Sequence, residues 1–399
     1  ALAYAELATM MPASGSAYTY SYASMGELVA WIIGWALILE YSVVCSAVAV
    51  GWSGYAVGFL NGLGVELPAA LTGGPASEGG LVNIPAILIV AAVTGMLLIG
   101  TRESANVNSV LVVVKIVALA VFVALAVPAF SAANFDPFAP YGFAAHVDAA
   151  GADRGIMSAA AIIFFAFYGF DAVSTAAEET KDPGKNLSIG IIGSMVICTL
   201  IYMAVASAAI GAMPFRDFAA SGEPLAHILR TLGHGKAAAL IAAAAVVALP
   251  TVILAFMYGQ SRIFFVMARD GLLPHQLGRV HEKSGAPVAM TIITGVVCAL
   301  IAGVLPLATI AELANAGTLA AFIATSAALM ILRRREPDRA RPFKTPLPFI
   351  VAPAAILGCL YLFFSLPAVT QTRFFIWMGA GLVVYFVFSR GSSLLARRG

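Results

Sequence analysis

Three ionisable residues lie inside long apolar runs, where a charge is costly. Lys115 lies in "SVLVVVKIVALAVF", Glu40 in "WIIGWALILEYSVV" and Asp171 in "IFFAFYGFDAVSTAAEETKDP". Insertion scales place the cost of a central lysine or aspartate at about 2.5–3.5 kcal/mol, and such residues usually face a bundle interior or a cavity. These three positions are therefore the first candidates for binding or for moving a proton.

Asp171 stands beside a glycine in an aromatic cluster. Gly169 weakens a helix by about 1 kcal/mol relative to alanine, so we predict that the helix breaks there. At membrane depth, a broken helix survives only when it is buried in protein or lines a cavity, and its free carbonyls then grip substrates or ions. Asp171 either contacts a substrate or holds the break together. The aromatic candidates, which either line a site or pack as core, are Phe165, Phe167, Tyr168 and Phe170.

Lys115 lies about eleven residues into its run, which is about 16 Å along a helix that rises 1.5 Å per residue. Burial disfavours the charged form of lysine, so the side chain is a candidate for proton coupling. The alternatives are a fixed cation and a structural lysine bonded to helix carbonyls. Glu40 is similarly deep, and three roles stay open for it: contact with a cationic substrate, proton carriage or pairing across the bundle.

The composition is that of a polytopic membrane protein. The chain has 399 residues, of which 61% are hydrophobic and 11% charged, and its mean hydropathy is +0.94. Histidine and cysteine show no metal-ligand spacing, so we expect no metal site. No catalytic spacing is present either, so we expect no enzymatic activity, and no cofactor other than a proton as the coupling ion. The apolar segments, each compared with the roughly 20 residues that a spanning helix needs, are 1–11 (partial), 28–60, 84–100, 104–130, 156–178, 187–213, 236–268, 288–305, 309–332, 347–368 and 372–389.

Basic residues indicate the orientation. Of the 22 lysine and arginine residues, five lie on the side reached after even-numbered segments (Arg154, Arg216, Arg230, Lys236 and Arg373), and all others except Lys115 lie on the opposite side. The positive-inside rule makes that richer side cytoplasmic, and the C-terminus with it. The basic stretch 333–346 is interpreted as topogenic charge near anionic lipid. Glu178, Glu179, Lys181 and Asp182 form either a solvated helix end or a gate salt bridge.

Three long stretches resemble one transporter family. "FFAFYGFDAVSTAAEETKDPGKNLSIGI" is similar to the sixth helix of the cationic amino acid transporter branch of the amino acid–polyamine–organocation superfamily. "YAELATMMPASGSAYTYSYASMGELVAWIIGWALILEY" resembles its second and third helices, and "MYGQSRIFFVMARDGLLP" with "HEKSGAPVAMTIITG" resembles the region of its eighth and ninth helices. The resemblance extends through the chain.

The resemblance implies an all-α LeuT-like fold, with two inverted five-helix repeats plus two C-terminal helices. Residues 1–155 would be the remainder of the first repeat (helices two to five), 156–332 the second repeat (helices six to ten) and 333–399 the two additional helices. The family's first helix, which would hold the substrate carboxylate, has no counterpart here, so we expect an N-terminally truncated chain.

The resemblance also implies site roles. Carbonyls around Phe167–Phe170 would accept hydrogen bonds from a substrate ammonium at the Gly169 break, and Phe165 and Phe170 match aromatic gate positions. Lys115 matches a lysine that replaces a sodium ion, which implies proton coupling, and Thr251 is a further pocket candidate. The expected function is proton-coupled amino acid permeation across the plasma (inner) membrane, with an amino acid and lipid as partners and no nucleic acid. Polyamine or other organic-cation transport and a non-transporting sensor are the alternatives.

Overall fold

A computed structural model describes residues 1–99, 104–148, 153–219, 221–274, 276–277, 279 and 287–393, without the side chains of 104–108, 179 and 392. Four of the basic residues that support the predicted orientation, Arg102, Lys283, Arg397 and Arg398, lie outside these ranges, as does the stretch 281–286. The described part is mainly helical. Its one pair of strands, which is antiparallel, consists of β1 (His146–Val147) and β2 (Asp153–Arg154).

The long helices follow the predicted apolar segments, and short helices lie between them. The first half of the chain forms α1 (Leu2–Met10), α2 (Ala17–Met25), α3 (Glu27–Gly62), α4 (Ala69–Thr72), α5 (Ile84–Ile99), α6 (Ser104–Ala126), α7 (Ile156–Ile163) and α8 (Pro183–Ala212). The second half forms α9 (Phe215–Phe218), α10 (Pro224–Thr231), α11 (Gly235–Ala248), α12 (Pro250–Arg269), α13 (Val288–Val304), α14 (Leu307–Arg335), α15 (Pro348–Phe364), α16 (Ala368–Val384) and α17 (Arg390–Ser392). Short 3-10 segments follow α6 and α7, and a π-helical turn (Tyr385–Ser389) follows α16.

Helical stretches of the described chain are long and apolar enough to cross a membrane in seven places, and α5, α13 and α15 are shorter apolar helices. In lipid, a helix satisfies its own backbone hydrogen bonds, which is why apolar runs of this length fold as helices. The predicted all-α polytopic membrane fold is therefore confirmed.

The centre of the bundle is α3, which packs against α14, α12 and α2. Small residues allow the closest of these approaches. A Cβ on Gly317 of α14 would lie 3.1 Å from the carbonyl oxygen of Ala36 on α3, so the two backbones nearly touch. By contrast, α6 and α8 bury little of their surface inside the protein, as expected for helices on the lipid side.

The segment predicted at 236–268 is divided into α11 and α12 at Pro250. Proline has no N–H to offer the carbonyl four residues earlier, which is that of Val246. The indole nitrogen of Trp52 on α3 donates to this carbonyl oxygen at 2.7 Å. The bend therefore keeps its backbone satisfied, and it places Thr251 just after the proline.

The basic stretch 333–346 is more than topogenic charge, which corrects the sequence interpretation. Glu6 of α1 is fully buried, and its carboxylate pairs with Arg333 Nε at 2.7 Å and with Arg341 Nε at 3.1 Å. The backbone N–H of Thr345 also donates to Glu6 Oε2 at 2.7 Å. Arg333 at the end of α14 and Arg341 in the loop that follows thus neutralise a buried carboxylate and attach this part of the chain to α1.

Replacing Glu6 with glutamine is expected to destabilise the protein by about 3–5 kcal/mol, because the change leaves two guanidinium groups without their buried carboxylate. Thermal unfolding of the purified protein in detergent measures the effect. Glu336→Gln is the matched control, since the Glu336–Arg339 pair is exposed and such pairs contribute about 0–1 kcal/mol. Equal melting temperatures for the two variants would contradict the proposed anchoring role.

Candidate functional site

The predicted break at Gly169 is confirmed. The α7 helix ends at Ile163, a 3-10 turn covers Phe164–Phe167, and a second 3-10 segment runs over Ala172–Glu179. Between them, Gly169 has a φ of +112°, a backbone conformation that residues with a Cβ rarely adopt. One predicted spanning segment is thus two half-helices joined by a non-helical turn.

Asp171 closes this turn. Its Oδ1 accepts a hydrogen bond from the N–H of Gly169 at 3.2 Å, and its Oδ2 accepts one from the hydroxyl of Tyr41 on α3 at 3.3 Å. The residue is fully buried. Of the two sequence interpretations, these contacts favour the one in which Asp171 holds the break together.

The first half-helix is held by a residue that sequence reasoning missed. Asn315 of α14 donates through Nδ2 to the carbonyl oxygens of Ala161 at 2.8 Å and Ile162 at 2.9 Å. Its Oδ1 accepts a short hydrogen bond from the hydroxyl of Tyr168. The signal in the sequence is a polar amide inside an apolar helical run.

The second half-helix is attached to the turn between α1 and α2. Ser174 Oγ donates to the carbonyl oxygen of Asp171 at 2.6 Å and accepts a hydrogen bond from the hydroxyl of Ser16 at 2.9 Å. The N–H of Ser14 donates to Glu178 Oε1 at 3.1 Å. Glu178 is therefore bonded to the bundle as well as exposed, while the side chain of Glu179 lies outside the described residues.

The aromatic candidates point to different neighbours. Phe167 meets Tyr202 of α8 edge-on, with ring centroids 5.4 Å apart. Phe170 is buried between Tyr4 and Phe322, at 5.8 and 5.1 Å. The helix break rotates successive side chains onto different helices, so these rings do not form a single cage.

Phe165 packs edge-on against Tyr168, with 5.4 Å between the ring centroids. It is only partly buried, unlike Phe170, which is 5% exposed. Of the two predicted gate positions, Phe165 is therefore the one with room to move. Both gate roles stay predictions.

A cavity of about 130 Å³ opens beside the break. Its walls come from the turn itself and from one face of α8, where Tyr202 donates through its hydroxyl to the carbonyl of Ala166 at 2.7 Å. The remaining lining side chains on α8 are Ser194, Met195 and Cys198. The described lining carries no carboxylate and no cationic side chain.

Three of the residues that line this cavity have backbone carbonyls without a partner in the described part of the chain. Among the described residues, the carbonyl oxygens of Phe167, Tyr168 and Phe170 receive no hydrogen bond from backbone or side chain. A carbonyl has two lone pairs and normally finds a partner when it is buried. The turn therefore offers acceptors for a donor that is external to the fold.

Glu40 lies at the same level of the bundle. It is fully buried on α3, beside Thr318 of α14, and close enough to Asp171 for the two carboxylates to interact electrostatically. The structure thus brings Glu40, Asp171 and Tyr168 into one neighbourhood, and the role of Glu40 there stays a prediction.

Lys115 and Thr251 form a second cluster. The Nζ of Lys115 donates to Thr251 Oγ1 at 2.7 Å, and that hydroxyl donates onward to the carbonyl of Ala248 at 2.7 Å. Lys115 also borders an apolar cavity of about 230 Å³ that lies against Tyr55 and Leu225. Among the described contacts of the pair, none is with the broken helix, so Thr251 is placed with Lys115 and not with the break.

A multi-helix membrane bundle with a broken helix and unused backbone acceptors beside a cavity is typical of transporters. Sequence comparison agrees: the model of a family described as amino acid permease matches residues 1–388. The chain belongs to the amino acid permease family, whose members are transporters and not enzymes.

The names of individual relatives point to different substrates. A branched-chain amino acid permease of Bacillus subtilis is 46% identical over 398 residues, covering 99% of this chain and 83% of that protein. A methylthioribose transporter of the same organism is 41% identical over 396 residues, covering 99% and 84%. A vacuolar cationic amino acid transporter 4 of Arabidopsis thaliana is 34% identical over 347 residues, covering 85% and 56%.

Gly169→Ala is expected to destabilise the protein by about 1–3 kcal/mol, because the added Cβ strains the backbone at positive φ. Crowding is not the cause, since the nearest atom to that Cβ would be Phe256 Cζ at 4.0 Å. Thermal unfolding and amino acid uptake are the measurements. Gly193→Ala on α8 is the control: its Cβ would meet nothing within 4 Å, so melting at or slightly above the wild-type temperature is expected. A Gly169→Ala protein with the melting temperature and the uptake of the wild type would contradict the importance of the break.

Proposed function

We propose that the protein is a secondary active permease that carries amino acids by proton-coupled symport and alternating access. The observation that carries this proposal is the broken helix, with its unbonded carbonyls at Phe167, Tyr168 and Phe170. Membership of the amino acid permease family supports it.

The break suits a substrate ammonium. The carboxyl end of a helix carries partial negative charge from its unpaired carbonyls, and α7 directs that end at the turn. Discontinuous transporter helices use such ends and unwound carbonyls to hold cations. An ammonium group has three donors, which matches the three free carbonyls in number.

The cavity beside the break favours an aliphatic amino acid. Val173 and Met195 contribute apolar surface there, and the described lining offers no charge to a cationic side chain. The relative described as a branched-chain amino acid permease supports the same substrate class. Transport of a neutral sugar is the second candidate, favoured by the relative described as a methylthioribose transporter.

The Lys115–Thr251 contact is the proposed proton-coupling element. It joins α6 to α12 across 2.7 Å, and Lys115 is surrounded on its cavity side by apolar residues. A protonated amine has three donors and a charge, and loss of the proton weakens its hydrogen bond to a hydroxyl. Proton transfer at Lys115 would therefore change how tightly the two helices are held.

Within this proposal, residues 1–155 and 156–332 act as the two inverted repeats, and 333–399 as the additional helices. Alternating access is then the rocking of one group of helices against the other around a fixed midplane site. The same proposal places the protein in the plasma (inner) membrane with its C-terminus in the cytoplasm, in accord with the distribution of basic residues.

Reconstituted into liposomes, the full-length protein is expected to take up radiolabelled leucine faster under an inward proton gradient, and a protonophore is expected to abolish the difference. Lys115→Ala should remove this gradient dependence, because it removes the group that exchanges the proton. Lys236→Ala is the control, since Lys236 is exposed at the start of α11. Two results together would reject the coupling mechanism: wild-type uptake that does not depend on the proton gradient, and unchanged uptake by the Lys115→Ala variant.

A competition panel tests the substrate class. Unlabelled isoleucine and valine are expected to compete with leucine at least about tenfold better than lysine or arginine, since an unpaired charge in an apolar pocket costs more than 1.4 kcal/mol. Spermidine and methylthioribose, which lack an amino acid carboxylate, are expected to compete poorly. Strong competition by either would redirect the assignment to that ligand, and binding without uptake would indicate a sensor.

A further inference from the structure

We infer that Asn315 is a positioning residue for the substrate site: it sets the geometry of the free carbonyls at the break by clamping the first half-helix to α14. This inference rests on the proposed function, because it concerns the same carbonyls. No contact between Asn315 and substrate is required.

The first step concerns the end of α7. An α-helix leaves its last four carbonyls without the regular internal donor. For a helix that ends at Ile163 these include Ala161 and Ile162, of which Ile162 also faces the N–H of Phe164. Inside a membrane, no water replaces the missing donors. Both N–H groups of the Asn315 carboxamide are directed at these two oxygens, at 2.8 and 2.9 Å.

The second step concerns the orientation of the amide. The Oδ1 of Asn315 accepts the hydroxyl of Tyr168, so both ends of the carboxamide are used. A flipped amide would place an acceptor against two carbonyls and a donor group against a hydroxyl that already donates. Asn315, which is fully buried, is therefore held in one orientation, and it fixes two points on either side of the 3-10 turn.

The third step connects these points to the binding groups. Tyr168 carries one of the free carbonyls and directly precedes Gly169, while Ala161 and Ile162 lie in the last turns of α7. The side chain of Asn315 thus spans from the helix end to the turn. The helix that carries Asn315 is itself closely packed: Gly317, two residues further along α14 and on the opposite side of the helix, lies against the α3 backbone.

The chain provides a chemically matched control at Asn134. Its Nδ2 also donates to two consecutive carbonyls, Ile210 at 3.1 Å and Gly211 at 2.8 Å, at the end of α8. Asn134 lies in the loop after α6, away from the break. Removing either carboxamide deprives a helix end of two hydrogen bonds, but only Asn315 is linked to the free carbonyls.

The experiment compares leucine uptake by Asn315→Ala, Asn134→Ala and the wild type in proteoliposomes, with rates normalised to folded protein. We expect Asn315→Ala to raise KM by about tenfold, the equivalent of one buried hydrogen bond, while Asn134→Ala keeps the wild-type KM. Asn315→Ser, which retains one donor, should fall between the two. A wild-type KM for Asn315→Ala would overturn the inference.

Tyr168→Phe covers the case in which Asn315→Ala does not fold. This variant keeps the ring and removes only the hydroxyl that reaches Asn315, so a raised KM is expected, whereas a wild-type KM would overturn the inference. If both single variants fold, the double variant should be no worse than Asn315→Ala alone, because the two changes break one linkage. A wild type that takes up none of the amino acids of the competition panel would reject the proposed function itself, which separates that failure from this one.

Discussion

The structure depends on one constraint: a helix that breaks inside a membrane frees backbone groups that no water can satisfy. Each such group left unpaired in hydrocarbon costs several kcal/mol. The break at Gly169 is possible because neighbouring helices supply the missing partners. Asn315 covers two carbonyls at the end of α7, Tyr202 covers the carbonyl of Ala166, and Asp171 accepts the glycine N–H. The position of the half-helices follows from these contacts.

The two bends of the bundle, at Pro250 and at Gly169, differ in how many backbone carbonyls they leave without a hydrogen-bond partner. At Pro250, the carbonyl deprived of its donor is covered by Trp52, and the result is a stable bend that presents Thr251 to Lys115. At Gly169, the partners cover the flanks but leave acceptors in the turn itself. A fully satisfied bend is structural, whereas a bend with unused acceptors beside a cavity has the properties of a binding site. The buried carboxylate of Glu6, by contrast, is neutralised inside the protein by Arg333 and Arg341.

The sequence was sufficient for features with a local cause. Apolar run lengths predicted the helices, the glycine predicted the break, and the depth of Lys115 singled it out. Contacts between distant parts of the chain were not predictable, because no local pattern encodes them: Asn315 meets Ala161 across 154 residues and Trp52 meets Val246 across 194. The division at Pro250 was missed although proline carries a local signal. The placement of Lys115 beside Thr251, and not beside the break at Gly169, depends on how the helices pack against each other, which no local pattern shows.

The most direct test of the central claim is an experimental structure of the full-length transporter with leucine bound. The account predicts that the substrate ammonium lies within about 3 Å of the carbonyl oxygens of Phe167, Tyr168 or Phe170, with its side chain directed towards Val173 and Met195. Density for leucine in the cavity beside Lys115, with the carbonyls at the break still unoccupied, would contradict the claim that the broken helix is the substrate site.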